Sequence, residues 1–451
     1  MRHRSLTYSP KDSSESGSVL IVVMWIAFGL VSIALYFGQS MLFEYRASSN
    51  TTAGYQAEQA IEGASRYLSF LLTNLEEPGA LPDFTEYAYE NVAVGSAAFW
   101  LVGRSNEENY SEDAPFFGLS DEASRLNLNT ATVEMLEALP NMTPELAASI
   151  IHWRSEDVDV QPPGPDSGAY LSLEPGYNSK DSNFETVDEL RLLIGEDWDL
   201  LYGEDHNRNG ILDPNEDDGA ESYPDDNADG RLDPGIMEFL TVYSRESNVQ
   251  ADGSPRVNVA DDEAGMVQVL TEAFGAERTE EILNTFDPQG GQVSSLANFF
   301  VRSQMTPEEI LLVYDAFSVT DNETSEGLIN VNTAPVEVLA CVPGIGEGFA
   351  SQLVAYRQGQ SLDQLLSVAW VLSVLGPDAT TEAGPYITTR SYQYTADIAA
   401  VGANGSGFRR VKLIFDTSDG TPRIVHRRDL SRLGWPLGEE IRSELALANT
   451  P

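Results

Sequence analysis

Cysteine, histidine and basic residues are what this 451-residue chain has least of. Cys341 stands alone, so no intrachain disulfide can form and a disulfide-stapled fold is excluded. It sits in a helical pattern where a small apolar residue fits, and reads as a buried structural thiol. The 26 lysines and arginines face 71 acidic residues, for a formal charge of −45. A surface of that sign repels phosphate backbones and anionic lipid head groups, which argues against nucleic acid as a partner. It suits a solvated extracytoplasmic protein that takes up divalent cations. The four histidines (His3, His152, His206 and His426) are scattered. G-x-S-x-G, H-E-x-x-H and phosphate-binding loops are all missing. Gly344-Ile345-Gly346-Glu347-Gly348 follows a helix and a proline instead of a strand, so it is no dinucleotide fingerprint. The expectation is a protein that is not an enzyme.

Charge is also missing between Ser16 and Glu44. The run SGSVLIVVMWIAFGLVSIALYFGQSMLF exceeds the roughly 7–15-residue apolar core of an ordinary signal peptide, and no A-x-A site follows it. It is long enough for a spanning helix, which needs about 20 residues. Arg2, Arg4 and Lys11 precede it, so the positive-inside rule puts the short leader in the cytoplasm and the bulk outside. Beyond Arg46, Ala57, Ile61, Ala64, Leu68, Leu71 and Leu75 recur at alternating spacings of 4 and 3, one apolar stripe on a continuing helix. Residues 86–118 alternate loosely and predict short strands and loops.

An internal duplication follows. Between 126–140 and 329–343, eight of fifteen positions are identical: Asn127/Asn330, Asn129/Asn332, Thr130/Thr333, Ala131/Ala334, Val133/Val336, Glu134/Glu337, Leu136/Leu339 and Pro140/Pro343. Each copy, 126–155 and 329–358, predicts a strand, a threonine cap (Thr130, Thr333), a helix, a proline-containing turn and a second helix ending in Trp153-Arg154 or Tyr356-Arg357. A further short helix follows each, at 186–190 and 361–365. A degenerate middle copy is suggested by 257–263, an apolar helix at 266–274 and 294–299. Segments 239–244, 317–320 and 391–398 are the expected closing strands. These units resemble helix-hairpin-helix, or SAM-like, domains. In DNA-binding members the turn matching Pro343-Gly344-Ile345-Gly346 offers backbone N–H groups to a phosphate. The first copy has Pro140-Asn141-Met142-Thr143, and Glu347 stands where a DNA binder favours a cation. A packing role for the hairpins is the expectation.

Residues 205–216, DHNRNGILDPNE, match the EF-hand loop at every ligand position: Asp205, Asn207, Asn209, Ile211 through its carbonyl, Asp213 and Glu216, with Gly210 at the turn. Calcium is the expected cofactor. A second loop, 225–236, supplies Asp225, Asn227, Asp229 and Asp233 around Gly230, but Ile236 occupies the position of the bidentate glutamate. Eight residues separate the loops, too few for paired EF-hand helices, so each reads as a local clip ordering a polar insertion. The chain's one basic cluster, 408–428, predicts two strands around Ser418-Asp419-Gly420. It either neutralises the acidic head or docks on an acidic partner.

Taken together, these motifs resemble the K-type minor pseudopilin of type II secretion. Gly17 before Ser18-Val19-Leu20-Ile21 is similar to the type III leader cut by prepilin peptidase. Asp121-Glu122 with Arg125-Leu126-Asn127-Leu128-Asn129-Thr130-Ala131 follows the family's acidic and N-x-N pattern, and the paired hairpins and Thr186–Leu193 complete it. The resemblance implies processing between Gly17 and Ser18 and an α+β fold. In that fold a long pilin-type helix (18–77) and a small antiparallel sheet (78–118 and 387–451) are interrupted by a helical insertion at 119–386. It implies a single pass through the inner membrane with the bulk periplasmic. The implied partners are the I- and J-type minor pseudopilins, the other pseudopilins and the peptidase. Val22, fifth after the cut, replaces the glutamate most pilins carry there, and the resemblance makes it the determinant of a filament-tip position. Two rival readings are a membrane-anchored DNA-uptake protein using the hairpins and a calcium-dependent surface protein with an uncleaved anchor.

Overall fold

The structure, a computed structural model, describes residues 16–75, 78–104, 116–155, 164–195, 197–286 and 292–448. It is α+β, as expected. Most of the expected leader, 1–15, and the acidic stretch 105–115 lie outside the described residues.

The described residues open with a 58-residue helix, Ser16–Thr73, about 87 Å long at 1.5 Å per residue. Among the described residues it is the one helix long and apolar enough to cross a membrane. Its first half is exposed along its length; from Ala53 onward one stripe is buried. In the polar stretch between the halves, Thr51 and Thr52 donate their hydroxyls back to the carbonyls of Ala47 and Ser48. Asn74 ends the helix by turning its side-chain amide back onto the Phe70 carbonyl at 2.7 Å.

The stripe packs on an antiparallel sheet ordered 92–94, 97–102, 393–401, 409–416 and 423–429, with Ser120–Asp121 also paired to 393–401. Ala57, Ile61, Ala64 and Leu68 meet Tyr394, Ala396, Ile398 and Ala400, the alternate residues of the central strand. All nine residues of that strand are buried, because both sheet faces are covered. Ala399 and Val401 on the opposite face pack with Trp100 and Leu437, and the C-terminal helix Gly438–Ala448 adds Ile441 and Leu445.

Between the two halves of the sheet lies the insertion, and it contains three units, the suggested middle copy among them. Each opens with a two-residue strand paired in parallel with a two-residue closing strand: Leu126–Asn127 with Leu240–Thr241, Val257–Asn258 with Phe317–Ser318, and Ile329–Asn330 with Ile387–Thr388. In each, the asparagine Oδ1 accepts the N–H two residues on, from Asn129, Ala260 or Asn332. The same asparagine's amide donates to the closing segment, at Ser244, Asp321 or Ser391. A left-handed residue stands in the turn of each helical hairpin, Asn141, Gly275 and Gly344, at φ of 59°, 79° and 82°, and the last turn has a second in Gly346. The middle copy is therefore a full member. The outer units share one apolar core, built on Leu136, Ile150, Leu339 and Leu353. The middle unit has its own, around Leu270, Phe299 and Phe317.

Three expectations need correction. Thr130 and Thr333 do not cap the first hairpin helices; Thr132 does in the first unit, accepting from Met135, and Pro335 holds the N-cap position in the last. The last unit closes with Ile387–Thr388, while 393–401 is the central strand of the pilin-like sheet, so the insertion runs past 386. A C-terminal helix also follows the strands.

Candidate functional site

Asp121 and Glu122 lie where the sheet passes into the insertion, and each serves a different unit. Both are fully enclosed. Asp121 accepts hydrogen bonds from Asn330 at 3.1 Å, Thr333 at 2.5 Å and Ser391, all in the last unit. Glu122 accepts from Arg125 at 2.8 Å and Thr241 in the first unit, and from Thr395 in the central strand. Burial pushes the Asp121 carboxyl up to about 6 against the pull of its hydroxyl and amide donors. Burial works the same way on Glu122, but Arg125 and Lys412 outweigh it and hold that carboxyl low. Two adjacent acids thus clamp both outer repeats to the sheet. The arginines ending the second hairpin helices fasten each unit internally. Arg154 donates to the carbonyls of Leu128 and Ala131, and Arg357 to those of Val331 and Ala334.

The first acidic loop sits between the helix Trp198–Tyr202 and the turn Ile236–Phe239 of the first unit. Asp205 accepts the N–H groups of Asn209 and Gly210 at 2.9 Å, and Asn207 and Asn209 donate to Asp213 at 2.5 and 3.0 Å. Glu216 takes the N–H groups of His206 and Asp213, both at 3.2 Å. Ile211 is buried beside Gly210, which is left-handed at φ +73°. Burial, then the neighbouring charges of Asp205 and Asp213, push the Glu216 carboxyl up to about 8. Asn207 Oδ1 is buried with no hydrogen-bond partner. An orphaned oxygen among crowded carboxylates fits a hard cation. Among the described residues no three His, Cys, Asp or Glu side chains form a metal cluster, so a cation here would need the amide oxygens as well.

In the second loop Asn227 donates to Asp233 at 3.0 Å, and Asp229 accepts from Arg231. Asp225 lines a pocket with Asn227, Asp233 and Glu204. Ile236 is buried in the shared core and offers no oxygen from its side chain. A carboxylate does lie against this loop, that of Glu204, which the sequence pattern could not reveal because it precedes the first loop. Its two oxygens accept the N–H groups of Asn227 and Asp233 at 3.0 and 3.1 Å, as Glu216 does in the first loop.

Elsewhere, Gly17 and Ser18 fall in the first turns of the long helix, and Val22 is exposed on it. The glycine turn of the last hairpin is closed by its own unit: a Cβ on Gly344 would lie 2.6 Å from the Ala379 carbonyl. The basic cluster pairs with the chain's own acids, Arg423 with Asp419, Arg427 with Glu62, Arg428 with Asp188 and Arg410 with Asp397. Cys341 is buried and its thiol is pushed up to about 12 by burial, as suits an inert core residue.

Residues 324–388, the last unit, match the helix-hairpin-helix motif family. Residues 121–201, from Asp121 through the first unit to the head of the acidic insertion, match the family described as type II secretion system (T2SS), protein K. No curated protein matches the chain. Among solved structures, a chain of the GspK-GspI-GspJ complex from the enterotoxigenic Escherichia coli type 2 secretion system is similar at 10% identity. That likeness covers 86% of this chain and 98% of that one, with a TM-score of 0.40. The acidic pair, the N-x-N-T-A turn and the first hairpin all lie inside the stretch that is similar to the type II secretion system protein K family.

Proposed function

We propose that this chain is a minor pseudopilin at the tip of the type II secretion pseudopilus, where it helps start and cap the filament in protein export and does no catalysis. Its N-terminal helix would hold it in the inner membrane, with the head periplasmic, until prepilin peptidase cuts between Gly17 and Ser18. The observation that carries the reading is Val22. A subunit with an apolar residue there cannot pair a carboxylate with a neighbour's new N-terminal amine in low dielectric, and so needs no subunit above it. The three-unit head clamped by Asp121 and Glu122 adds the bulk that would block further addition. The I- and J-type minor pseudopilins are the proposed neighbours, supported by the likeness of residues 121–201 to the type II secretion system protein K family.

The acidic loops are proposed calcium sites, Glu216 completing the first and Glu204 the second, with the ion ordering a segment that has almost no apolar core of its own. The tip reading is tested by Val22→Glu. Site-specific crosslinking from position 22 to the minor pseudopilins is expected to drop, with the variant appearing along the shaft. A variant that crosslinks and localises as the wild type does contradicts the reading.

A further inference from the structure

The first acidic loop is gripped by the pilin-like sheet. Arg410, on the strand Arg409–Asp416, is fully buried. Its guanidinium pairs with both oxygens of Asp397 on the central strand, at 2.9 and 2.7 Å. It also reaches out of the sheet to donate to the backbone carbonyls of Asn207 at 2.6 Å and Arg208 at 2.5 Å. These are the third and fourth residues of the loop. Arg208 is held there at φ +58°, a conformation L side chains rarely adopt, so something must keep it. Arg104, two residues past the strand Ala97–Val102, meets Asp205 at 3.3 Å and Glu238 at 3.0 Å. Two arginines from the sheet thus fix the first half of a loop that belongs to the insertion.

We propose that Arg410 is a positioning residue that couples calcium binding in the first loop to docking of the helical insertion on the pilin-like sheet. The inference rests on the calcium reading above. In the EF-hand pattern the third residue binds through its side chain and the fourth does not bind, so the two carbonyls held by Arg410 are not ligands. Arg410 therefore supports the loop without competing with the ion. A planar guanidinium can satisfy a carboxylate on one edge and two carbonyls on another; an ammonium cannot. Coupling of this kind is reciprocal: a loop held in place binds the ion more tightly, and a bound ion tightens the grip on the sheet.

The test uses the full-length chain in detergent, calcium titration calorimetry, and hydrogen exchange of Arg409–Asp416 with and without calcium. Arg410→Lys keeps a cation beside Asp397, and Arg410→Met with Asp397→Asn removes both buried charges together, so neither leaves an ion stranded. Both are expected to weaken calcium at one site about tenfold without changing the stoichiometry. In the wild type calcium should slow exchange in Arg409–Asp416, and in Glu216→Gln that slowing should vanish with one bound ion. If the wild type binds calcium but both Arg410 variants keep its affinity, or calcium leaves the strand's exchange unchanged, the coupling is overturned and the calcium reading stands. If the wild type binds no calcium, the loop reading fails and takes the coupling with it.

Discussion

The first and last repeat units share their strand pairing, their asparagine turns and their fastening arginines, yet they differ at the hairpin. In the last unit the helix Pro377–Ala383 runs straight into the turn Gly384–Tyr386, and its backbone closes over Gly344. In the first unit residues 203–235 are inserted between the matching helix and turn, and Asn141 faces a pocket lined by Asp199, Glu204, Asp225 and Asp233. Where the repeat is closed, only glycine fits the turn. Where it has been opened, a side chain fits, and the acidic loops occupy the space. The insertion is an elaboration of one repeat and leaves the scaffold common to both intact.

The largest expected effect breaks the scaffold on the first unit's side. Glu122→Ala removes the buried carboxylate that Arg125, Thr241 and Thr395 share, leaving Arg125 with Glu238 alone. It should cost about 3–5 kcal/mol in denaturant unfolding. Leu136→Ala and Leu339→Ala are matched tests of the shared core, since both side chains are fully buried in it. Each should cost about 2–5 kcal/mol, and the double mutant should depart from additivity.

A pH scan sharpens the contrast between the two acids. Asp121 has a native pKa raised to about 6, above its unfolded value, so the folded state holds the proton longer. Its contribution is fully present in acid and is lost as pH rises from about 4 to about 6, worth roughly 3 kcal/mol. Asp121→Asn should remove that slope. The hairpin turns come next. Gly344→Ala adds a Cβ at a left-handed position against the Ala379 carbonyl and should cost about 1–3 kcal/mol, whereas Asn141→Gly should stay within about 1 kcal/mol. Smallest is Arg427→Ala, which removes an exposed pair with Glu62 and should change stability by less than about 1 kcal/mol.

The outer units were legible because N-x-N-T-A performs several structural tasks in five residues, and a change at any of them breaks a turn. The middle unit keeps the opening asparagine and a polar residue at the closing position, Asp321 in place of serine, so its likeness is geometric and barely textual. The last closing strand was misplaced for a physical reason. Ile387–Thr388 is two residues of ladder, whereas the aromatic run beginning at Tyr392 has the stronger strand signal and belongs to the main sheet. Thr130 and Thr333 look like helix caps, but Thr333 is turned to Asp121, more than 200 positions away in the chain. Glu204 and Arg410 were beyond reach for the same reason: their partners are set by tertiary contact, and nothing in their own neighbourhoods marks them.

The central claim, that a cleaved pilin-type helix carries this head to the filament tip, is tested most directly by the intact mass of the chain recovered from inner membranes. The account predicts a protein beginning at Ser18, cut after Gly17, in cells with active prepilin peptidase. A chain that keeps Met1 and the full leader in those cells would contradict it.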